Sequence, residues 1–451
     1  MKYLNRCRKA GLLIAVAALL GAGVVLANDG DIDTTYGSNG LSVTTGISIA
    51  VDIAIQSDGK AVVLVPSGNN FAALRFNTDG SPDSSFGTNG MTIVDFKSPN
   101  LIIPTQDTPH TILIDPNGAI LLAGSTEPIL LSHGTDFALV RLNRNGTIDK
   151  SFGKKGLVIT DFSHADDVIY DLAVQDNGKI LAVGKATDSG DVRFAVARYL
   201  TDGSLDPNFA NNGTKSFGWG QGFNIANGVA VQDDGKIVMT GLTELNDSDG
   251  NSHAYSALAR LRPGGSFDLT FSTNGKAKSA IRDANGEIIG SWAGRPVIQS
   301  DGKIVVTGFY NILQDFDVAR YNTDGSLDTA FGNDGIVFPG PLVSGQELPV
   351  NRRIALDGGN IIFGGWADIN GFFPACNPEI VLYRYDSSGS ADPTFGINGM
   401  VEYDPFRDVN QCGKGVSAEA FALQPDGKIV TAGGSDDGNG NTGLTLARFI
   451  N

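Results

Sequence analysis

Histidine is the side chain most often used for metal and acid–base chemistry near neutral pH, and this chain has only 4 copies. His110, His133 and His164 occur close together in the first half of the chain and could share a metal ion. The alternative is that they are scattered surface residues. The sequence contains no H-E-x-x-H, G-x-S-x-G or C-x-x-C motif. A metal-dependent hydrolase or lyase is therefore a hypothesis without an assigned catalytic residue.

Two loops are rich in oxygen ligands that calcium prefers, NDSDGNSH around Asp247 and DDGNGN around Asp436. Neither has the EF-hand order of acidic residues around its glycine, so simple polar turns are the alternative interpretation. The sequence therefore permits calcium or another divalent metal as a cofactor without requiring one.

The 3 tryptophans, Trp219, Trp292 and Trp366, are the strongest candidates for contact with a sugar ring or a peptide. They fall in or near irregular segments between predicted strands. The alternative, which we favour, is that each indole covers the seam between two structural units. Their role depends on the elements that hold them.

Those elements come from a repeat of roughly sixty residues. One phrase occurs seven times, as DGDIDTTYGSNG, DGSPDSSFGTNG, NGTIDKSFGKKG, DGSLDPNFANNG, GGSFDLTFSTNG, DGSLDTAFGNDG and SGSADPTFGING. A second phrase alternates with it, as QSDGK, DPNGA, QDNGK, QDDGK, QSDGK, LDGGN and QPDGK. Self-similarity at a fixed period predicts a single repetitive domain over residues 28–451 rather than several unrelated domains.

Each repeat predicts four antiparallel strands. In the third repeat, VIYDLAVQ and KILAVGKA flank an Asn-Gly turn, RFAVARYL follows as a third strand, and a short run near Lys215 makes the fourth. Asn-Gly and Asp-Gly are strong hairpin signals because both residues tolerate positive φ. Four antiparallel strands per unit are typical of a propeller blade. The fold class expected is all-β, a seven-bladed β-propeller.

The two ends of the chain predict how the ring closes. The last residues, LTLARFIN, form a third strand, and the signature phrase and fourth strand that should follow it occur instead after residue 28. Residues near 41–45 should therefore pair with residues near 444–450 in the last blade. Closure of this kind removes the open sheet end that a linear array would leave.

The phrases Q-x-D-G-K-I, A-R-Y-N-x-D-G-S-L-D and F-G-x-x-G resemble those of the delta-60 repeat β-propeller family of bacterial exported proteins. The resemblance covers essentially the whole chain after residue 27, and the sixth repeat departs most, with LDGGN in place of Q-x-D-G-K. It implies the propeller fold and the repeat count. It implies no catalytic residue, since no activity is established for the family.

One arginine and one aspartate recur in every repeat, and their pairing would fix each signature loop against its sheet. The arginines are Arg75, Arg141, Arg198, Arg260, Arg320, Arg384 and Arg448, and the aspartates are Asp33, Asp83, Asp149, Asp206, Asp268, Asp328 and Asp392. A catalytic site is a single asymmetric constellation, so residues present seven times indicate architecture. Function is then expected in the irregular loops, which lie on one face of the ring.

Charged residues at the start of the first strands offer a second candidate site, at the mouth of the central channel. Asp52 and Asp171 face Arg295 and Arg352 there, an arrangement that could orient a zwitterionic or anionic ligand. Solvated strand ends are the plainer interpretation. The register of the sixth repeat, and therefore the place of Arg352, depends on how its atypical turn is counted.

The first residues are expected to be a signal peptide. Lys2, Arg6, Arg8 and Lys9 precede an apolar run, and small residues fit cleavage after Ala27. An uncleaved anchor is the alternative, and no later segment predicts a membrane span. The remaining cysteines, Cys376 and Cys412, are candidates for one disulfide in a secreted or periplasmic protein.

The formal net charge of −16 becomes more negative by four when the basic leader is removed, which disfavours nucleic acid as a partner. The leading hypothesis is a monomeric, non-catalytic binding scaffold that recognises a protein or glycan through its loop-rich face. The enzyme described above is the alternative, and a surface-layer or adhesin module is a third.

Overall fold

The structure is a closed ring of seven β-sheets with no helix long and apolar enough to cross a membrane in the part of the chain that it describes. The computed structural model describes residues 28–97, 104–128, 134–220, 222–246, 250–280, 292–309, 316–339, 353–368, 378–406, 414–437 and 442–451. The predicted seven-bladed propeller is confirmed.

The first three blades follow one another along the chain. The first strand of the chain, β1 (Leu41–Thr45), belongs to blade 7. Blade 1 contains β2 (Asp52–Ile55), β3 (Ala61–Ser67), β4 (Asn70–Phe76) and β5 (Met91–Val94). Blade 2 contains β6 (Thr105–Ile114), β7 (Ile120–Pro128), β8 (Asp136–Leu142) and β9 (Leu157–Thr160). Blade 3 contains β10 (Asp167–Val174), β11 (Ile180–Asp188), β12 (Asp191–Tyr199) and β13 (Thr214–Phe217).

The remaining blades repeat this order. Blade 4 contains β14 (Asn224–Val231), β15 (Ile237–Asn246), β16 (Ser252–Leu261) and β17 (Lys276–Ser279). Blade 5 contains β18 (Trp292–Ile298), β19 (Ile304–Phe309), β20 (Phe316–Tyr321) and β21 (Ile336–Val337). Blade 6 contains β22 (Ile354–Asp357), β23 (Asn360–Asp368), β24 (Pro378–Tyr385) and β25 (Met400–Tyr403). Blade 7 contains β26 (Lys414–Val416), β27 (Ala420–Leu423), β28 (Ile429–Asp437) and β29 (Thr442–Phe449), together with β1.

The ring closes through β1, as the two chain ends predict. Leu41 stands opposite Ala447 and Thr45 opposite Gly443 in an antiparallel ladder. The side chain of Arg448 also donates to Asp33, with Nε and Oδ2 2.9 Å apart. The N-terminal segment therefore completes the outer edge of blade 7.

The recurrent arginine and aspartate form a salt bridge in every blade, which confirms their architectural role. In blade 3, Arg198 Nε lies 2.8 Å from Asp206 Oδ2, and its guanidinium carbon lies 4.4 Å from the centre of the Phe209 ring. The arginine also donates to the carbonyl of Pro263 in the next repeat. Each pair thus joins a third strand, its signature loop and the neighbouring blade. The equivalent pairs are Arg75–Asp83, Arg141–Asp149, Arg260–Asp268, Arg320–Asp328, Arg384–Asp392 and Arg448–Asp33.

Candidate functional site

The first strand of each blade brings one residue to the same level around the central channel. From blade 1 to blade 7 these channel-layer residues are Asp52, Thr111, Asp171, Gly228, Arg295, Arg353 and Ala420. Of the four charged residues expected at the channel mouth from the sequence, Asp52, Asp171 and Arg295 lie in this layer.

The exception is blade 6, where the sequence count gives Arg352 and the ladder gives Arg353. The turn of blade 1 spans residues 56–60 between paired strand residues, whereas the turn of blade 6 spans only 357–360. Because the blade 6 turn is one residue shorter, a count backwards from the turn phrase stops one position too early. Arg352 itself lies outside the described residues, and Arg353 occupies the channel layer.

Asp52 lies at the centre of the charged cluster and is almost fully buried, with 2 % of its side chain exposed. Arg353 donates from Nε to Asp52 Oδ1 over 2.8 Å, and a second bond from Nη2 reaches the same oxygen. Arg295 Nη2 lies 3.1 Å from Oδ2, which also accepts the backbone N–H of Ile112. One carboxylate therefore joins blades 1, 2, 5 and 6.

Arg295 also binds the second acid of the layer. Its Nε lies 3.0 Å from Asp171 Oδ1, and its Nη2 donates to the Thr111 hydroxyl over 2.7 Å. The other oxygen of Asp171 accepts the backbone N–H of Val229. Arg295 thus spans both predicted acids, and its Nη1 has no hydrogen-bond partner in the part of the chain that the structure describes.

The protonation states follow from this pairing. Burial by itself would raise the pKa of Asp52, but the charges of Arg353 and Arg295 outweigh burial and hold that pKa below its usual range. Burial raises the pKa of Asp171, and Arg295 offsets only part of this effect. Burial and the like charge of Arg295 lower the pKa of Arg353. The cluster balances two acids against two guanidinium groups.

Gly228 explains how Arg295 reaches the channel layer. A Cβ at Gly228 would lie 2.5 Å from the Arg295 Cα, closer than any real contact between such atoms. The absence of a side chain in blade 4 lets the backbone of blade 5 approach closely.

A cavity of about 540 Å³ opens above this cluster, on the face where the blade-to-blade connections arrive. Asp52, Arg295 and Arg353 line it together with His110 and Tyr170. The two aromatic rings meet edge to face, with centroids 5.0 Å apart. The strand registers shift around both residues, and such bulges redirect a side chain.

Glu419 completes the lining from blade 7, in the break between β26 and β27. Burial raises the pKa of its carboxyl, although hydrogen bonds from Ser417 and Trp366 act in the opposite direction. Trp366 is therefore placed by the structure as a donor to a cavity residue. His110 was considered from sequence only as a metal ligand, and Tyr170 and Glu419 were not considered, because bulges and strand breaks have no signal in the repeat phrases.

Trp219, Trp292 and His164 do not line this cavity. Trp219 is half-buried and packs against Phe194 with ring centroids 4.9 Å apart, covering the seam between blades 3 and 4. Trp292 begins β18 and is half-buried. His164 lies on the loop before β10, where Nδ1 is 2.5 Å from Asp161 Oδ2.

Several predicted residues fall outside the described residues. These are His133, Cys376 and Cys412, together with Asp247 of the first oxygen-rich loop. The metal site at the three histidines and the disulfide stay predictions.

Six segments of the chain match the family described as "Domain of unknown function (DUF5122) beta-propeller". They are residues 56–86, 116–152, 175–209, 232–271, 299–331 and 424–449. These segments are similar to the repeats of a β-propeller family of unknown function. These repeats run from the turn phrase through the signature loop, and blade 6, with its atypical turn, is left out.

Several solved structures are similar to this chain at low sequence identity. Virginiamycin B lyase from Staphylococcus aureus superposes with a TM-score of 0.46 and 12% identity, covering 90% of this chain and 98% of the lyase. Polysaccharide lyase Uly1 superposes with a TM-score of 0.45 and 12% identity, covering 95% of this chain and 94% of the lyase. Sqt1 from Chaetomium thermophilum superposes with a TM-score of 0.45 and 12% identity, covering 94% of this chain and 100% of Sqt1. A search of curated protein sequences found no match.

Proposed function

We propose that this protein is an exported binding protein that recognises a glycan or a protein through its loop-rich face and anchors an anionic group of that ligand in the channel-mouth cavity. The observation that supports this most directly is the position of Arg295. Its Nε and Nη2 are held by Asp171, Asp52 and Thr111, while Nη1 is available to a ligand.

The acidic residues at the site should not repel an anionic ligand. The carboxylates of Asp52 and Asp171 are each bound by an arginine and by a backbone N–H. Burial raises the pKa of the Glu419 carboxyl, and the Ser417 and Trp366 side chains hydrogen-bond to it. An incoming carboxylate would therefore meet guanidinium groups that are already oriented, so little side-chain entropy is lost on binding.

The size of the cavity sets the class of ligand. A volume of about 540 Å³ lies within the range of small-molecule sites and suits one or two sugar rings or a single side chain. The rings of His110 and Tyr170 offer an aromatic wall beside the arginines. An acidic sugar has both the apolar ring face and the carboxylate that these groups would bind.

Calorimetry with oligomers of galacturonic acid, against oligomers of galactose of equal length, tests this function directly. The acidic oligomer is expected to bind and the neutral one to bind at least about tenfold more weakly, since a charged hydrogen bond contributes about 1.5–3 kcal/mol. An acidic peptide tests the protein alternative in the same assay.

Two cavity variants and one control locate the site. Arg353→Gln and His110→Ala should each weaken binding of the acidic ligand. The matched control is Arg144→Ala, which removes an exposed arginine that pairs with Asp58 outside the cavity. Equal binding of acidic and neutral oligomers, or equal affinity in Arg353→Gln and Arg144→Ala, would refute the proposal.

A lyase acting at the same cavity is the second candidate, and the contact between His110 and Tyr170 favours it. With the carboxylate of an acidic sugar neutralised by arginine, the neighbouring C–H becomes more acidic. His110 would accept that proton, the C–H electron pair would form a C=C bond, and the departing glycosidic oxygen would take a proton from Tyr170.

Incubation of the protein with oligogalacturonate separates binding from catalysis. The lyase predicts a growing ultraviolet absorbance from the unsaturated product, lost in His110→Ala and retained in Arg144→Ala. Binding without any product would leave the binding function and refute the lyase. Activity that a chelator abolishes would instead support the metal-dependent enzyme.

We also propose that the protein is exported and that it belongs to the delta-60 repeat family. Segment 299–331, which matches the family of unknown function, contains QSDGKI and ARYNTDGSLD, two of the phrases that resemble the delta-60 repeat family. We infer a secreted or periplasmic location after cleavage behind Ala27, with Cys376 and Cys412 joined. The intact mass of the exported protein, before and after thiol labelling, tests the cleavage site and the disulfide together.

A further inference from the structure

Three aspartates meet on the loop-rich face at the junction between blades 2 and 3. Asp136 begins β8, Asp161 follows β9 and Asp167 begins β10. One carboxylate oxygen from each lies within 4.8 Å of the other two. None of these residues lines the channel-mouth cavity.

Asp167 is fully buried, yet only one of its two oxygens is satisfied. Oδ2 accepts the backbone N–H of Phe162 over 2.7 Å, whereas Oδ1 has no hydrogen-bond partner among the described residues. Burial first, and then the charges of Asp161 and Asp136, raise the pKa of Asp167 to about 7. A buried carboxylate oxygen without a partner is costly, so this arrangement requires a compensating group.

The junction between blades 1 and 2 shows how the fold usually satisfies this position. Asp107 stands there in place of Asp167, and Oδ2 accepts the N–H of Phe96 in the same way. Its Oδ1 accepts the hydroxyl of Thr126, the residue directly opposite on β7, over 2.6 Å. Opposite Asp167, the equivalent residue on β11 is Ala186, which has no hydroxyl to donate.

The junction between blades 3 and 4 satisfies the same position with an amide. Asn224 replaces the aspartate, and its Oδ1 accepts the hydroxyl of Thr243 over 2.8 Å. Its Nδ2 donates to the carbonyl of Val192 over 3.0 Å. Threonine is therefore present at both neighbouring junctions, and among these three it is the junction with three acids that lacks it.

Asp136 differs from its equivalents in the neighbouring blades, whereas Asp161 has an aspartate as its equivalent in blade 1. The position of Asp136 holds Asn70 in blade 1 and Arg193 in blade 3. The position of Asp161 holds Asp95, which pairs with Lys97 over 2.7 Å. The junction between blades 1 and 2 thus holds two acids, Asp95 and Asp107, with Lys97 paired to the first, whereas the junction between blades 2 and 3 adds Asp136 as a third acid.

We propose that Asp136, Asp161 and Asp167 bind a divalent cation that links blade 2 to blade 3. Carboxylate oxygens select hard cations, and calcium tolerates a partly exposed and irregular set of ligands better than magnesium does. The cation supplies the partner that Thr126 and Thr243 supply at the neighbouring junctions. His164 holds Asp161 in place through its ring and its backbone N–H, which donates to Oδ1 over 2.6 Å.

Thermal unfolding of the chelator-treated protein, with calcium, magnesium or zinc added back, tests the site. Calcium is expected to raise Tm by several degrees, because a ligand that binds only the folded state stabilises it. Calorimetry should show one calcium bound per chain. Asp136→Asn should lose most of both effects.

Two further variants separate a cation site from a structural acidic cluster. Asp167→Asn copies Asn224 and should raise the Tm of the metal-free protein while abolishing the calcium response. Asp95→Asn changes the equivalent position at the junction between blades 1 and 2 and should leave the calcium response unchanged. The proposal is wrong if no divalent cation shifts Tm, or if Asp136→Asn and Asp95→Asn respond to calcium as the wild type does.

Discussion

Arg295 of blade 5 donates to Asp52 of blade 1 over 3.1 Å, although the two residues are 243 positions apart and their blades are not neighbours. The bond crosses the channel rather than following the ring. Since Arg295 also binds Asp171 of blade 3, one side chain joins three separate blades. The same guanidinium group is the one that would bind the anion of a ligand.

Removal of this central arginine should destabilise the protein strongly. Arg295→Ala leaves Asp171 buried and without its ion-pair partner, and loss of one member of a buried pair costs about 3–5 kcal/mol. Denaturant unfolding gives the free energy. Arg144→Ala, which breaks an exposed pair with Asp58, should cost under about 1 kcal/mol. Similar costs for the two variants would contradict a structural role for the channel cluster.

The seven arginine–aspartate pairs should make stability sensitive to acid. Burial alone would raise the pKa of most of these aspartates, but hydrogen bonds and the neighbouring arginines and lysines lower all seven below the ordinary value of 3.8. A lowered pKa contributes stability that is present above the unfolded-state value and is lost as the pH falls below it.

We therefore expect the contribution of these seven pairs to Tm to be nearly constant from about pH 5 to 7, and Tm to fall steeply below about pH 4. Asp206→Asn should lower Tm at neutral pH and flatten the acid limb. A Tm that is independent of pH down to about 3 would contradict this account.

Closure of the ring should be essential for both stability and solubility. A chain that lacks residues 28–45 loses β1 and the partner of Arg448, and it leaves β29 as an unpaired edge. We expect a lower Tm and self-association through that edge, measured by unfolding and by light scattering. A chain that begins at Asn28 is the control and should remain monomeric. A monomeric, equally stable truncated chain would contradict the role of β1.

Glu419 should contribute pH dependence of the opposite sign. Because burial raises its pKa in the folded protein, ionisation of Glu419 destabilises the fold, and stability is gained as the pH falls through the folded value. Glu419→Gln should therefore be more stable than the wild type at pH 8 and should lose this advantage in mild acid. Measurement of Tm at both pH values tests the sign, and equal differences at the two would contradict it.

Much of the fold was predictable because its signals are local and repeated. A turn phrase such as the one ending at Gly178, with φ of +76°, specifies a hairpin without reference to the rest of the chain. Arg198 and Asp206 are eight residues apart and pair within one blade, and six blades repeat this spacing, while ring closure supplies the seventh pair, Arg448–Asp33. Ring closure followed from the missing strand of the last repeat.

The sequence by itself thus determined the blades, their number, their closure and three of the four charged residues expected at the channel, Asp52, Asp171 and Arg295. Only the tertiary structure decided which of them meet. The register of blade 6 depended on a turn one residue shorter than the others, which placed Arg353 beside Asp52. The unsatisfied oxygen of Asp167 depended on Ala186, on the opposite strand. Such contacts depend on how separate strands and blades are placed in three dimensions. The spacing of residues along the chain does not specify that placement.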